Sequence, residues 1–437
     1  MRAGVAIVDI TPPVGIAMGG FAARKQGAQG VHDPLYARAL VLEDGEERLA
    51  LVTCDLLGLN RTAVARVREL VEEATGMPGE RVALCFSHTH SGPAPGRLYE
   101  IRELKEGLEE IWGEVLLYYI AGAVRMAAKD IREAEVGVGV GEVVIGVNRR
   151  QLRTDGEVVI GSNPKGPIDP QVGVVRINRE GGKAAVLMQY ACHGVVLGAD
   201  NLLISADYPG YAVWTLEAAY GGKAVGLFAN GCGGNINPKE RGNFEAAERL
   251  GRALAGEVLK VAQEVRPAEG LKVIRRKVCL PLKKFPPIEE AKERVRELEK
   301  LAEETEVGSE QITGLWGELV HARHTLMVLH ELRATQGLEV LERGEMESEV
   351  WVVRLGDAAL VFLPGEVFVE VGLEIRERSP FPKTLVLAYC NDYSVSYVPT
   401  TRAYEEGGYE PRWARVAPGA DRVLAEAALG LLEELSA

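Results

Sequence analysis

Val82-Ala83-Leu84-Cys85-Phe86-Ser87-His88-Thr89-His90-Ser91-Gly92-Pro93 is the stretch on which the fold turns. Its first five residues are an uninterrupted apolar run of strand length, as in a buried strand, and the Ser-Gly-Pro at its end stops it. Side chains alternate along a strand, so His88 and His90, two residues apart, point the same way and can serve one site. The pair sits where the strand hands over to a loop, the usual place for an active site.

The same grammar extends in both directions. Strand-like runs at 4–10, 37–42, 49–55 and 81–87 surround a helical stretch at 62–74, and Glu43-Asp44-Gly45 suits a hairpin between the second and third runs. A long amphipathic helix is expected over 101–131, then β-rich sequence to about Gln189 with turns at Asp155-Gly156 and Glu180-Gly181-Gly182. Further helices are expected at about 210–219, 243–265 and 421–435, with strands at 223–229, 349–355, 358–363 and 384–390. Helices alternating with strands and hairpins predict an α/β fold, a central mixed β-sheet flanked by helices. Residues 286–334 turn strongly charged and helical, with Val307-Gly308-Ser309 as a hinge. This stretch reads as a helical hairpin inserted into a single domain spanning 1–437, because the sheet-forming pattern resumes beyond it.

Composition narrows the partners. The chain has 437 residues, 47% of them hydrophobic and 26% charged, and a net charge of −13. That is enough chain for a large core, and the acidic balance argues against nucleic acid and against stable association with anionic membranes. The N-terminus has no apolar segment followed by a small-residue cleavage site, so a cytoplasmic location is expected. Six cysteines without CxxC spacing, mostly within apolar runs, read as buried thiols rather than a disulfide frame.

Two more candidates repeat the strand-to-loop setting. His193 ends the apolar run 185–192, and Glu366 follows the strand-like run 358–363 in Leu363-Pro364-Gly365-Glu366, where a Pro-Gly turn leads toward a helix beginning near Val367. A carboxylate there can also serve simply to favour a helix N-terminus. Two or three histidines with one carboxylate, converging on one sheet edge, are the donor set of catalytic zinc with an open position.

These residues resemble the N-terminal catalytic domain of neutral, non-lysosomal ceramidases, zinc-dependent amide hydrolases. The resemblance runs through Gly4-Val5-Ala6-Ile7-Val8-Asp9-Ile10-Thr11-Pro12, His32-Asp33-Pro34-Leu35-Tyr36-Ala37-Arg38-Ala39, His88-Thr89-His90-Ser91-Gly92-Pro93, Asn148-Arg149 and His193. It continues through Ser205-Ala206-Asp207 with Gly210, Pro364-Gly365-Glu366, and Asn391-Asp392-Tyr393 to Tyr397 and Tyr409. It implies one Zn2+ per chain held by His88, His193, Glu366 and Tyr397, with His90, Arg149 and Tyr409 lining the reaction centre. A zinc-bound water would attack the amide carbonyl, His90 would exchange protons, and Tyr409 or Arg149 would stabilise the oxyanion.

The sequence departs from the family in two respects. Where larger members carry glycine-aspartate-valine-serine-proline, this chain has Gly234-Asn235-Ile236-Asn237-Pro238, leaving Asn237 to hydrogen-bond the substrate. It also ends about where the catalytic domain should, without the family's C-terminal β-sandwich. With no amphipathic apolar stripe evident for membrane docking, a soluble small-molecule amide, linear or cyclic, is the expected substrate. The alternatives are a true ceramidase acting on N-acylsphingosine and a non-catalytic metal-binding or scaffold protein on the same fold. The charged insert would cap the site or mediate homo-oligomerisation.

Three rivals are weaker. Cys232 in the loop Gly231–Gly234 offers a cysteine nucleophile, but Cys192 beside His193 is a poor dyad because adjacent strand residues face opposite ways. The glycine-rich loop lacks the Lys-Ser/Thr of a phosphate cradle. His321 and His324, three apart on a helix, suit a solvated face better than a metal, and His330 joins neither.

Overall fold

The computed structural model describes residues 1–21, 23–24, 26–93, 108–305 and 310–437, without the side chains of 108–110 and 310–314. Two sheets lie face to face with helices on both outer sides. The larger, nine-stranded sheet has the order Ala224–Asn230, Ala184–Tyr190, Gln171–Arg179, Arg132–Glu142, Arg2–Asp9, Tyr36–Asp44, Glu47–Cys54, Val82–Phe86, with Pro267–Ala268 added at the side of Arg132–Glu142. The second sheet orders Leu271–Pro281, Glu345–Leu355, Ala358–Phe362 and Lys383–Leu387. Both are mixed, as expected: Glu47–Cys54 runs parallel to Val82–Phe86 and Ala358–Phe362 parallel to Lys383–Leu387, amid antiparallel neighbours.

Strand alternation explains the layering. On Arg2–Asp9, Ala3 and Val5 enter the core between the sheets while Ala6 faces the outer helices. Leu40 and Leu42 likewise face inward, and Ala37, Ala39 and Val41 outward. The inner layer is completed from the second sheet by Trp351, Val353, Leu360, Phe362, Leu385 and Leu387. A period of two with apolar residues in both phases is what a strand buried on both faces requires.

Outside the large sheet lie helices Arg61–Thr75 and Leu108–Lys129 over one half and Asp207–Ala219 and Phe244–Glu264 over the other. Arg61–Thr75 starts at Asn60, whose side chain accepts from the Ala63 N–H, and stops at Gly76 with φ +71. Outside the second sheet lies Ala420–Ser436, packed through Leu424, Ala428 and Leu432.

Helix Leu108–Lys129 departs from expectation in one respect. It is long and apolar enough over Ile111–Lys129 to cross a membrane by composition. Trp112, Leu116, Ile120, Val124 and Ala127 bury its inner face against the sheet, but Ile111, Val115, Tyr118, Tyr119 and Met126 are exposed. An outward apolar row therefore exists that the sequence reading did not find.

The charged insert is a pair of helices, Ile288–Glu304 and Glu310–Gln336, sharing a small core of Val295, Leu298, Leu315 and Leu319. The expected hinge at Val307–Ser309 lies outside the described residues. Strand Leu271–Pro281, which the sequence reading did not single out, lies on the sheet's edge and buries Leu271 and Val273 between the sheets and Val278 and Leu280 in the opposite phase, with Arg275, Arg276 and Lys277 exposed between them.

Candidate metal centre

Strand Val82–Phe86 ends before its histidines. His88 has φ +59, so the pair does not lie on an extended strand, and the expected alternation is not what brings the two rings together. A left-handed residue turns the chain instead, fixed by hydrogen bonds from Ser87 N–H to the Cys54 carbonyl (3.0 Å) and from His88 N–H to the Leu56 carbonyl (3.0 Å). His90 N–H then donates to the Gly194 carbonyl (3.0 Å), tying this loop to the one that carries His193. Left-handed non-glycine residues cost about 1 to 3 kcal/mol each and gather at functional sites. His88, Tyr389, Asn391 and Ser396 are four of the described ones, all within this region.

His88, His90 and His193 are buried, with ring nitrogens converging within 4.8 Å of one another. His88 Nδ1 donates to the Leu57 carbonyl (2.8 Å) and His193 Nδ1 to the Gly233 carbonyl (2.6 Å). Each proton so held leaves an Nε2 lone pair turned inward, the arrangement metal-binding histidines use. Glu366 Oε2 lies 3.1 Å from His193 Nε2 and 3.4 Å from His88 Nε2. Donors about 2.0 to 2.1 Å from one tetrahedral zinc stand roughly 3.3 Å apart, so these separations fit.

The electrostatics agree. Burial raises the Glu366 carboxyl, but the His88 and His193 rings outweigh it and hold the group well below its usual range. Burial and Arg149 push His193 down to about 4, and burial with the two neighbouring imidazoles pushes His90 well down. His90 Nε2 faces His88 Nε2 at 3.1 Å, which turns the His90 ring toward the same centre.

Glu366 is not at a helix N-terminus. Glu366–Val367 forms a two-residue parallel pair with Tyr397–Val398, so Glu366 and Tyr397 are register neighbours, and the next helix begins at Val369. Gly365, at φ +70, makes the turn. Tyr397 is buried, its phenol kept well above its usual pKa by burial and by Glu366.

Arg149 sits on strand Gly146–Leu152, where a bulge between Asn148 and Arg150 aims it at the centre. Its Nη1 is 3.3 Å from His193 Nε2 and donates to Asn237 Oδ1 at 3.4 Å, while buried Nη2 has no partner among the described residues. Tyr397 and Tyr409 lie 5.5 and 5.9 Å from its guanidinium. Burial acts to lower the Arg149 pKa, but Tyr397 and Glu410 raise it well above normal. The residues proposed from the sequence, His88, His90, Arg149, His193, Asn237, Glu366, Tyr397 and Tyr409, therefore gather in one region.

Three contributors were missed. Glu410 bridges Arg149 Nε (2.7 Å) and Arg150 Nη1 (2.8 Å) from a buried position. The Tyr393 hydroxyl donates to Glu366 Oε1 (3.0 Å), and that of Tyr389 lies 3.4 Å from His193 Nδ1. Tyr393 and Tyr389 belong to a loop whose turns carry no periodic signal, and Glu410 looks like any helix glutamate.

The rivals lose ground. Cys232 and Cys192 are buried and burial pushes both thiols up, away from nucleophilic use. The glycine loop is a packing device, since a Cβ at Gly234 would come within 2.4 Å of the Glu366 carbonyl oxygen. His321 and His324 are half-buried rather than solvated, edge-on to Trp413 at 5.9 and 4.6 Å.

Comparison with known proteins identifies the family. A profile described as neutral/alkaline non-lysosomal ceramidase, N-terminal, covers residues 1–250. The neutral ceramidase of Mycobacterium tuberculosis is 27% identical over 240 residues, 51% of this chain and 36% of that protein. That of Pseudomonas aeruginosa is 28% identical over 250 residues, 54% and 37% of the two. The match thus spans little more than a third of these curated relatives. The crystal structure of neutral ceramidase from Pseudomonas aeruginosa superimposes on 99% of this chain and 74% of its own, with a TM-score of 0.73 at 20% identity. With the profile matching over half its length, the chain belongs to the neutral/alkaline non-lysosomal ceramidase family.

Proposed function

We propose that the protein is a zinc-dependent amide hydrolase acting on ceramide, releasing a fatty acid and sphingosine. The observation that carries this reading is the meeting of His88 and His193 Nε2 with Glu366 Oε2, with each Nδ1 proton committed to a carbonyl. The names of the relatives favour ceramide over the soluble amide expected from the sequence, and the outward apolar row on helix Leu108–Lys129 offers a surface suited to lipid.

His88, His193 and Glu366 would hold the ion, with Tyr397 beside Glu366 as the fourth ligand that the family resemblance implies. A bound zinc lowers the pKa of water toward neutrality and polarises a carbonyl. His90, neutral and turned to the centre through Nε2, takes up a proton there and passes it to the leaving nitrogen. Arg149 directs its spare Nη2 donor, and the half-exposed Tyr409 its hydroxyl, at the developing oxyanion. Glu410 keeps the guanidinium in line.

The test is release of free amine from short-chain N-acylsphingosine, N-acyl amino acids and lactams, with elemental analysis of the purified chain. Chelator-sensitive turnover of the first, with stoichiometric zinc, is the expected result. Turnover confined to the soluble amides would favour the smaller substrate expected from the sequence. Zinc-free protein with no turnover of any would overturn the hydrolase.

A further inference from the structure

Behind the metal centre the two sheets are joined by a short antiparallel ladder that places two thiols opposite each other. Asn391 N–H donates to the Leu84 carbonyl (2.9 Å) and Phe86 N–H to the Tyr389 carbonyl (3.2 Å), making Cys85 and Cys390 the directly opposed pair between these bonds. Such a non-hydrogen-bonded pair has Cα atoms about 4.5 Å apart, inside the range a disulfide spans. The two Sγ atoms already lie 3.5 Å from each other, and both side chains are buried. Rotation about the Cβ bonds with a small closure of the ladder is enough to join them.

The position gives the pair leverage. Cys85 belongs to Val82–Phe86, the edge strand of the large sheet that leads directly to His88. Cys390 follows Lys383–Leu387 of the second sheet and adjoins Tyr389, whose hydroxyl approaches His193. The nitrogen donors and Glu366 meet across this seam.

We propose that Cys85 and Cys390 form a disulfide when the chain folds in the presence of a disulfide oxidant, stapling the two sheets behind the centre. The two thiols lose two protons and two electrons as the S–S bond forms, and one molecule of the oxidant is reduced to two thiols. Because both sulfurs are buried, the exchange happens while the ladder is open, and closure then shields whichever state was made. A bond closing so long a loop removes much of the unfolded chain's freedom. Cys279, the exposed cysteine, is the competitor for intermolecular exchange.

The experiment refolds the full chain carrying Cys279→Ser, once in oxidised glutathione and once in dithiothreitol, and alkylates it after denaturation. The expected product of oxidation is two hydrogens lighter, yields a cross-linked peptide pair containing Cys85 and Cys390, and unfolds several degrees higher than the reduced protein. Cys85→Ala and Cys390→Ala are each expected to abolish the cross-link and make the unfolding midpoint indifferent to the buffer. Free thiols throughout, a cross-link between other cysteines, or a bond that leaves the midpoint unchanged would each overturn the proposal. None of these readouts depends on the substrate or on zinc.

Discussion

The two sheets build the centre by different means. The large sheet delivers His88 and His193 from the ends of long apolar strands, each imidazole fixed by a backbone carbonyl. The second sheet delivers Glu366 and its tyrosines from a two-residue strand pair and a loop with left-handed residues at Tyr389, Asn391 and Ser396. Nitrogen comes from the loops that leave two apolar strands, with His88 itself left-handed, and carboxylate oxygen from a two-residue strand pair beside turns of the same kind. A bound cation would draw the two together, and the sheets on which they ride share one core.

The sharpest way to break this comparison is to remove one donor from each side. His193→Ala and Glu366→Gln should both empty the centre of zinc and lower turnover by more than the roughly 100-fold that losing a second-shell partner costs. Elemental analysis checks occupancy. If Glu366→Gln kept full zinc while His193→Ala lost it, the oxygen side would not share in binding.

Glu410→Gln probes the link between strand Gly146–Leu152 and helix Tyr409–Trp413. Buried Arg149 would lose its carboxylate while Arg150 keeps Glu406, and breaking a buried pair costs about 3 to 5 kcal/mol, readable as a lower denaturation midpoint. The pH dependence has a definite sign. Burial raises the Glu410 carboxyl, but Arg149 and Arg150 outweigh it and lower the pKa below 4.5. Its contribution is therefore intact above pH 4.5 and fades as pH falls through the lowered value. Glu410→Gln should flatten that acid limb of the stability curve, and an unchanged limb would remove Glu410 from the account.

A smaller effect is expected on the second shell. Tyr393→Phe deletes the donor to Glu366 Oε1 and should weaken zinc by about 10- to 100-fold without unfolding the chain, as measured by competition with a chelator. Gly20→Ala sharpens the nitrogen side instead. A Cβ there would meet the His90 ring at 2.3 Å, on a residue at φ +91. It should slow turnover through displaced His90 while zinc stays bound.

How much of this was legible in sequence follows the same division. The apolar runs before His88 and His193 announced strand ends, and the hairpin at Glu43-Asp44-Gly45 appears as the pairing of Asp44 with Glu47. Even there the reason was partly wrong, because a left-handed His88 rather than strand alternation aligns the pair. On the oxygen side, Glu366–Val367 and Tyr397–Val398 are too short to carry any period, and their pairing across 31 residues is set by tertiary packing. The same limit hid Tyr393 and Glu410, and only family resemblance singled out Tyr397. The outward apolar row of Leu108–Lys129 was missed because the stretch was read as amphipathic, whereas apolar residues occupy its outer face as well as its inner one.

The most direct measurement is anomalous scattering at the zinc edge from crystals of the purified chain. The account predicts one peak within bonding distance of His88 Nε2, His193 Nε2 and Glu366 Oε2. An empty seam, or a peak at His321 and His324 instead, would contradict it.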